Sequence, residues 1–248
     1  LQLQALRTMK VTLIDFTRDA EDQLIFTKST RLNLSPGLLE TIRAWPLERK
    51  LEELKYIANT IKSSWEFVSY TFLIEGVSRA FTHQFVRTRQ ASYAQQSMRV
   101  NDMSAFDFVM PERLAADPRL AREVEALNRQ TAQLYRELLA RGVAAEDARA
   151  ILPTNIATNI TVKHSLRSFA DLAASRLGGR TQDEYQRVMN AMVDAVLAVH
   201  PWARDFIFGD QDRDHYSEIE AFAREAFPDL MQRGKLLKIV DKMRAKKE

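Results

Sequence analysis

Arg79, Arg87, Arg89 and Arg99 fall within a stretch from Gly76 to Asn101 that contains no lysine and no acidic residue. A planar guanidinium grips phosphate or carboxylate through two parallel hydrogen bonds, so arginines without neighbouring carboxylates suit an external anion. Ser92 and Ser97 add hydroxyl groups to the same stretch. Arg79, His83 and Arg87 recur every four residues, on one face of a helix, and Gln84 precedes Arg87 by three, close enough to share a ligand with it. Ser97 is a conceivable nucleophile, but a serine needs a nearby base, and His83 stands well upstream with no orienting acid. Orientation of a substrate is the role expected of Ser97.

Composition narrows what such a site can do. With 248 residues, 46% hydrophobic and 28% charged, the chain can bury one sizeable core, and one domain over 1–248 is expected. The absence of cysteine excludes disulfides, thiolate metal ligands and thiol nucleophiles. No metal site is expected. A net charge of +3 calls for a few local anion sites rather than a polycation, so long nucleic acid is not expected as a partner. No apolar run approaches the roughly 18 residues that span a bilayer. The first residues show no charged-then-apolar leader, so the cytoplasm is the expected location. Only seven glycines are present and none forms a phosphate-cradling loop, which leaves anions to side chains and helix ends.

Helices should dominate the elements that position these residues. A short strand is expected at 11–16, Ser35-Pro36 opens a helix, and Leu47, Leu51, Leu54 and Ala58 mark another over 47–59. Aromatic and β-branched residues over 65–72 predict a strand, and a helix is expected from Val77 to Arg89. The polar string after Arg89 reads as a loop, followed by a short strand around 106–110. Leu120, Val124, Leu127, Leu134 and Leu138 predict a long core-facing helix over 119–140 that stops at Gly142. Beyond it come a short helix over 145–151, a strand near 156–163 and a helix over 166–177. Thr181 and Glu184 form a capping box opening a last long helix on Tyr185, Val188, Met189, Met192 and Val196. A basic helical tail follows from about 216. From Arg233 onward it carries seven basic residues against two acidic ones, which reads as a solvated terminal helix rather than a nucleic-acid or membrane contact.

The string RTRQASYAQQSMR at 87–99 resembles the signature of the flavin-dependent thymidylate synthases, arginine-histidine-arginine followed by a spaced serine and a further arginine. SSWEFVSYTF at 63–72, ARAILP at 148–153 and LRSFADLAASR at 166–176 resemble three further segments of that family, in the same order. The resemblance covers about 60–200. It implies an α+β fold with a central mixed sheet and a helical layer, FAD as cofactor, and NADPH and methylenetetrahydrofolate as co-substrates in the C5 methylation of dUMP. It also implies a homotetramer whose sites are shared between subunits.

Carried over by position, Gln84, Arg87, Gln95, Gln96, Ser97, Met98, Arg99 and Arg149 hold the nucleotide, with Arg99 and Arg149 at its phosphate. Arg176 faces the pyrimidine and helps ionise N3, and Arg176 and Ser97 are the catalytic pair. Ser63, Glu66, Arg87, Thr88, Arg89, Gln90, Ser165, Arg167 and Asp171 fall where the family binds FAD. Arg167 and Asp171, four residues apart, could equally pair with each other. The chain departs from the family pattern at Ile61, Phe67 and Thr88, each in place of a histidine, at Gln95 in place of an acidic residue, and at Ser165 in place of asparagine. Those departures keep two alternatives in view: an enzyme of the same fold with another pyrimidine nucleotide or one-carbon product, and a non-catalytic nucleotide- or RNA-binding homologue. His83 and His164 are candidates to compensate for the lost imidazoles. The lack of cysteine agrees with flavin chemistry, because the protein needs no thiolate to activate C5.

Overall fold

A computed structural model describes residues 9–31, 35–101, 103, 106–178, 181–209, 215–227 and 229–244. Four strands, β1 (Lys10–Phe16), β2 (Ser69–Ser78), β3 (Ala91–Gln95) and β4 (Ala157–Ser165), form one sheet in the order β1-β2-β4-β3. The α+β class expected from the sequence is observed. The sheet, however, is antiparallel at every pairing of these strands rather than mixed. The reason lies in the connections: the chain leaves β3 at Gln95 and re-enters the sheet beside it, with Gln95 opposite Ile160, so β4 must run back along β3.

The helices are α1 (Ala20–Ser29), α2 (Leu38–Arg43), α3 (Leu47–Ala58), α4 (Arg79–Phe85), α5 (Glu112–Ala115), α6 (Pro118–Ala140), α7 (Ala145–Ala148), α8 (Leu166–Arg176), α9 (Asp183–Val199), α10 (Arg204–Phe208), α11 (His215–Ala226) and α12 (Leu230–Arg244). Burial alternates along β2 and β4, the pattern of a sheet with one covered face. Tyr70, Phe72, Ile74, Ile160 and Val162 point into that face and meet Phe169 of α8 and Val188 and Met192 of α9, all buried. On the other face Ser69, Thr71, Lys163 and Ser92 remain accessible.

Differences from expectation fall where local chemistry overrides pattern. Residues 62–67 form a 3₁₀ turn, and the strand expected over 65–72 begins at Ser69. At Gly76 the β2–β4 register slips, φ is +67°, and the Asn159 amide oxygen accepts from the Gly76 N–H at 3.1 Å. A residue with a side chain would be strained there. This bulge delivers Ser78 to the start of α4, which runs only to Phe85 and not to Arg89. The string read as a loop is β3; its Tyr93 and Gln95 face inward while Ser92 and Ala94 stay outside.

On α6 the leucine stripe is only in part the core face, since Leu138 packs against the cluster of Met103, Tyr135, Ala148 and Ile156. Asn128 and Tyr135, one residue beyond Leu127 and Leu134, turn inward, and Leu120, Leu127 and Leu134 are 40%, 58% and 47% exposed. The capping box does not form either: α9 starts at Asp183, and the Glu184 side chain is committed elsewhere.

Where one domain with a helical tail is expected, the chain divides into two compact units, Leu1–Ile207 and Phe208–Glu248. The second consists of α11 and α12, with Ala223 and Val240 buried and Lys235, Lys238 and Lys242 exposed. Residues 245–248 of the expected basic tail lie outside the described residues. Among the described residues no helix is long and apolar enough to cross a membrane, and no cluster of side chains could hold a metal ion.

Candidate active site

The β2–α4 junction builds the first part of the site. Ser78 caps α4, its Oγ accepting from the Phe81 N–H at 3.0 Å, and both Glu184 carboxylate oxygens hold Ser78 from across the fold. The next residue, Arg79, extends over the end of β3 and donates to the Gln96 carbonyl. Its Nε is buried without a partner, and burial together with the nearby Arg149 charge depresses its basicity. Two guanidinium groups held together repel, so this corner is electrostatically ready for an anion.

Ser97, Arg99 and Arg149 gather at the same corner. The Ser97 hydroxyl accepts from the Arg99 N–H at 3.1 Å, Arg99 Nε reaches Glu146 at 2.7 Å, and Arg149 Nε donates to the Glu146 carbonyl at 3.0 Å. Glu146 thus occupies Arg99, although both side chains stay substantially exposed and the pair is a weak one. Gln96 is exposed, whereas Met98 packs against the apolar cluster of Met103, Tyr135, Ala148 and Ile156.

Arg176 stands at the end of α8. Its guanidinium carbon sits 5.0 Å from the centre of the Tyr185 ring, a cation–π arrangement, and its Nε is buried without a partner. Thr88 joins the group from the turn after α4: its carbonyl accepts from the Tyr93 hydroxyl at 2.9 Å, a hydroxyl that also reaches the Phe85 carbonyl at 3.0 Å. Burial pushes the Tyr93 phenol up to about 12.

A second region, open to solvent, lies along β3 and the ends of β2 and β4. Glu66, Ser69, Arg89, Gln90, Ala91, Ser92, Lys163 and Ser165 line this groove. At its rim Arg167 pairs with Glu66 at 2.9 Å and Asp171 with Lys62 at 2.9 Å, so Arg167 and Asp171 do not pair with each other. Ser63 accepts from Arg31 at 3.3 Å, and Ser165 caps α8 by accepting from the Ser168 N–H at 3.2 Å. Arg87 and Arg89 are exposed, and neither forms an ion pair among the described residues.

Two expected residues stand apart. Gln84 donates to Gln182 at 2.7 Å and lines a separate cleft with Val109, Arg113 and Arg187. Gln95 turns into the sheet, where its amide nitrogen donates to Thr82 at 2.8 Å and Thr158 at 3.4 Å. Ile61 and Phe67, in two of the histidine positions, are 60% and 59% exposed. His83 is exposed, while His164 is fully buried with Nδ1 3.0 Å from the Ser168 hydroxyl, which gives it a place in the core.

Lys163 and Tyr185 are residues that sequence reasoning passed over as site components, and Arg79 was read only as a member of the anion-holding stretch, without a role of its own. Arg79 had a signal, since it belongs to the arginine stretch without carboxylates. Lys163 had one too, in the alternation that puts it opposite Ser92 on the open face.

An antiparallel α+β scaffold carrying an arginine-lined corner and a donor-rich groove suits a protein that binds anionic, oxygen-rich ligands. Comparison with known proteins narrows this class. Residues 12–202 match the family model described as thymidylate synthase complementing protein, and the chain belongs to that family. A flavin-dependent thymidylate synthase of Pyrococcus furiosus is 39% identical over 208 residues, covering 79% of this chain and 84% of the relative. One of Geobacter sulfurreducens is 34% identical over 199 residues, with 78% and 84% covered. One of Nitratidesulfovibrio vulgaris is 36% identical over 174 residues, with 63% and 71% covered.

The groove suits the cofactor in those names. Arg89, Lys163, Gln90, Ser69 and Ser92 present hydrogen-bond donors along one wall, matching a ligand rich in phosphate and carbonyl oxygens. The buried, unpartnered Nε of Arg167 beside it is a further donor in need of an acceptor.

Proposed function

We propose that this chain is a flavin-dependent thymidylate synthase, carrying out the reductive C5 methylation of dUMP to dTMP. FAD is the bound cofactor, methylenetetrahydrofolate the one-carbon donor and NADPH the reductant, and the enzyme works in the cytoplasm. One observation carries the reading to the site: an arginine corner holding Arg79, Arg99 and Arg149 beside Ser97 lies just past the end of β3, the strand whose Ala91 and Ser92 line the donor-rich groove. A nucleotide phosphate and a flavin are thereby offered neighbouring places.

Arg99, Arg149, Gln96, Ser97 and Met98 bind and orient the nucleotide. Arg176, presented by the end of α8, faces the pyrimidine, where its positive charge stabilises the N3 anion and raises electron density at C5. Ser97 keeps the nucleotide in register rather than attacking it, since no base lies within bonding distance of its hydroxyl among the described residues. Glu66, Arg89, Gln90, Ser165 and Arg167 line the cofactor side, joined by Ser63, Arg87, Thr88 and Asp171. FAD, when bound there, supplies the reducing power that completes the transferred carbon to a methyl group.

The separation of Gln84 from the arginine corner and the exposure of Arg87 support a homotetramer in which each site draws residues from more than one subunit. Capture of the Gln95 amide nitrogen by Thr82 and Thr158 keeps that group from the base.

The test is the visible spectrum of the purified protein before and after addition of FAD, followed by NADPH and then dUMP with methylenetetrahydrofolate. Flavin bands that bleach with NADPH and formation of dTMP are expected. Nucleotide binding without flavin uptake at high FAD would instead make the chain a non-catalytic binder.

A further inference from the structure

Tyr185 lies in the opening turn of α9, fully buried, and its hydroxyl has no hydrogen-bond partner among the described residues. Phe81 and Phe85 meet the ring edge-on, with centres 5.0 and 5.8 Å away, and so fix its plane. The Arg176 guanidinium rests on the ring, and Arg176 Nε is itself buried and unpartnered. The guanidinium held against this ring points to use of the ring at the site.

We infer that Tyr185 is a positioning residue for Arg176: its ring holds the guanidinium in the orientation from which it meets the pyrimidine. Burial pushes the Tyr185 phenol up, while Arg176 and Thr88 draw it back, as expected if both stand beside the oxygen. Thr88 replaces the imidazole of the family signature, and the Tyr93 hydroxyl bonds its carbonyl. A tyrosine from α9 thus joins α4 to the end of α8. The inference rests on the reading that Arg176 acts on the pyrimidine.

A double-mutant cycle tests it, using the full chain loaded with FAD. Turnover, dUMP affinity by calorimetry and flavin content are measured for Tyr185→Phe, Tyr185→Leu, Arg176→Ala and Tyr185→Leu combined with Arg176→Ala. Tyr185→Phe keeps the ring and should stay within about threefold of the parent in turnover. Tyr185→Leu should lower turnover by about tenfold or more with flavin content unchanged, yet change it by less than about twofold once Arg176 is already alanine. If the loss persists in full in the Arg176→Ala background, Tyr185 supports the fold and not Arg176, and the inference falls. It falls too if Tyr185→Leu turns over like the parent. Should Tyr185→Leu fail to fold, Tyr185→Met enters the same cycle. An Arg176→Ala variant with undiminished turnover would overturn the reading of Arg176 itself, and Tyr185 would then have nothing to position.

Discussion

Glu184 holds Ser78 with both carboxylate oxygens, one accepting from the Ser78 N–H at 2.7 Å and the other from its hydroxyl at 2.6 Å, across 106 residues of sequence. The pair is buried, and Ser78 passes the restraint on by capping α4 immediately before Arg79. One turn of α9 therefore fixes both where α4 begins and where the first arginine leaves the scaffold. Replacing Glu184 by alanine leaves a buried N–H and hydroxyl unsatisfied. A loss of about 2 to 4 kcal/mol in denaturant unfolding is expected, with Glu184→Gln losing less; an unchanged midpoint for Glu184→Ala would show that water replaces the carboxylate.

The neighbouring Arg79 and Arg149 charges call for an anion between them. Alanine at Arg79, Arg99 or Arg149 should weaken nucleotide binding by about 1.5 to 3 kcal/mol, the worth of a charge-assisted hydrogen bond. Calorimetry checks each, and an unaltered isotherm removes that arginine from the phosphate site. Glu146→Ala should behave oppositely, since it releases Arg99 from an exposed pair worth at most about 1 kcal/mol; affinity should hold or rise slightly.

His164 is fully buried and burial depresses it from the ordinary 6.5 to about 4. Between pH 6.5 and about 4 the unfolded chain takes up a proton that the folded chain refuses. Stability is therefore complete above pH 6.5 and falls as pH drops through this window, by an amount on the order of 3 kcal/mol. His200, bonded to the Tyr70 hydroxyl at 3.0 Å, is lowered for the same reason and adds to the same slope. Unfolding midpoints across this range check it, and His164→Gln should flatten the curve.

Lys163 projects from β4 into the groove beside Arg89, Ser69 and Ser92. If the groove holds the cofactor phosphates, Lys163→Ala should weaken FAD binding by about 1 to 2 kcal/mol, with a shallower salt dependence than the parent. Fluorescence titration of FAD reads the change directly, and equal affinity would place the phosphates elsewhere.

How much of this was legible beforehand depends on how local each cause is. The strands at 10–16 and 157–165 and helices α3, α6, α8 and α9 follow the hydrophobic period of their own residues. Arg99 and Ser97 stood out as part of an arginine stretch without carboxylates, whereas Arg149 came into view only through the family resemblance. Glu184 misled because three-residue spacing after Thr181 imitates a capping box, while its true partner, Ser78, is remote in sequence. β3 was hidden because apolar Ala94 faces out while polar Gln95 faces in, which erases the alternation of a half-buried strand. The face of α6 was misjudged by one residue, since a leucine stripe marks an apolar side without saying what covers it. Gln84 and Gln95 show a similar limit: an amide's type says that it will bond, and only the fold says to what.

β3 stands at the margin of the sheet, with β4 on one side and, among the described residues, no strand on the other. Alternate peptide groups from Ala91 to Gln95 consequently face outward, unspent by the ladder. Those amides should trade deuterium with solvent quickly in the empty protein, while those turned toward β4 trade slowly. A molecule settling along the groove would slow the first set and leave the second as it was. The five residues of this strand can thus report occupancy of the groove by mass alone, without turnover and without colour.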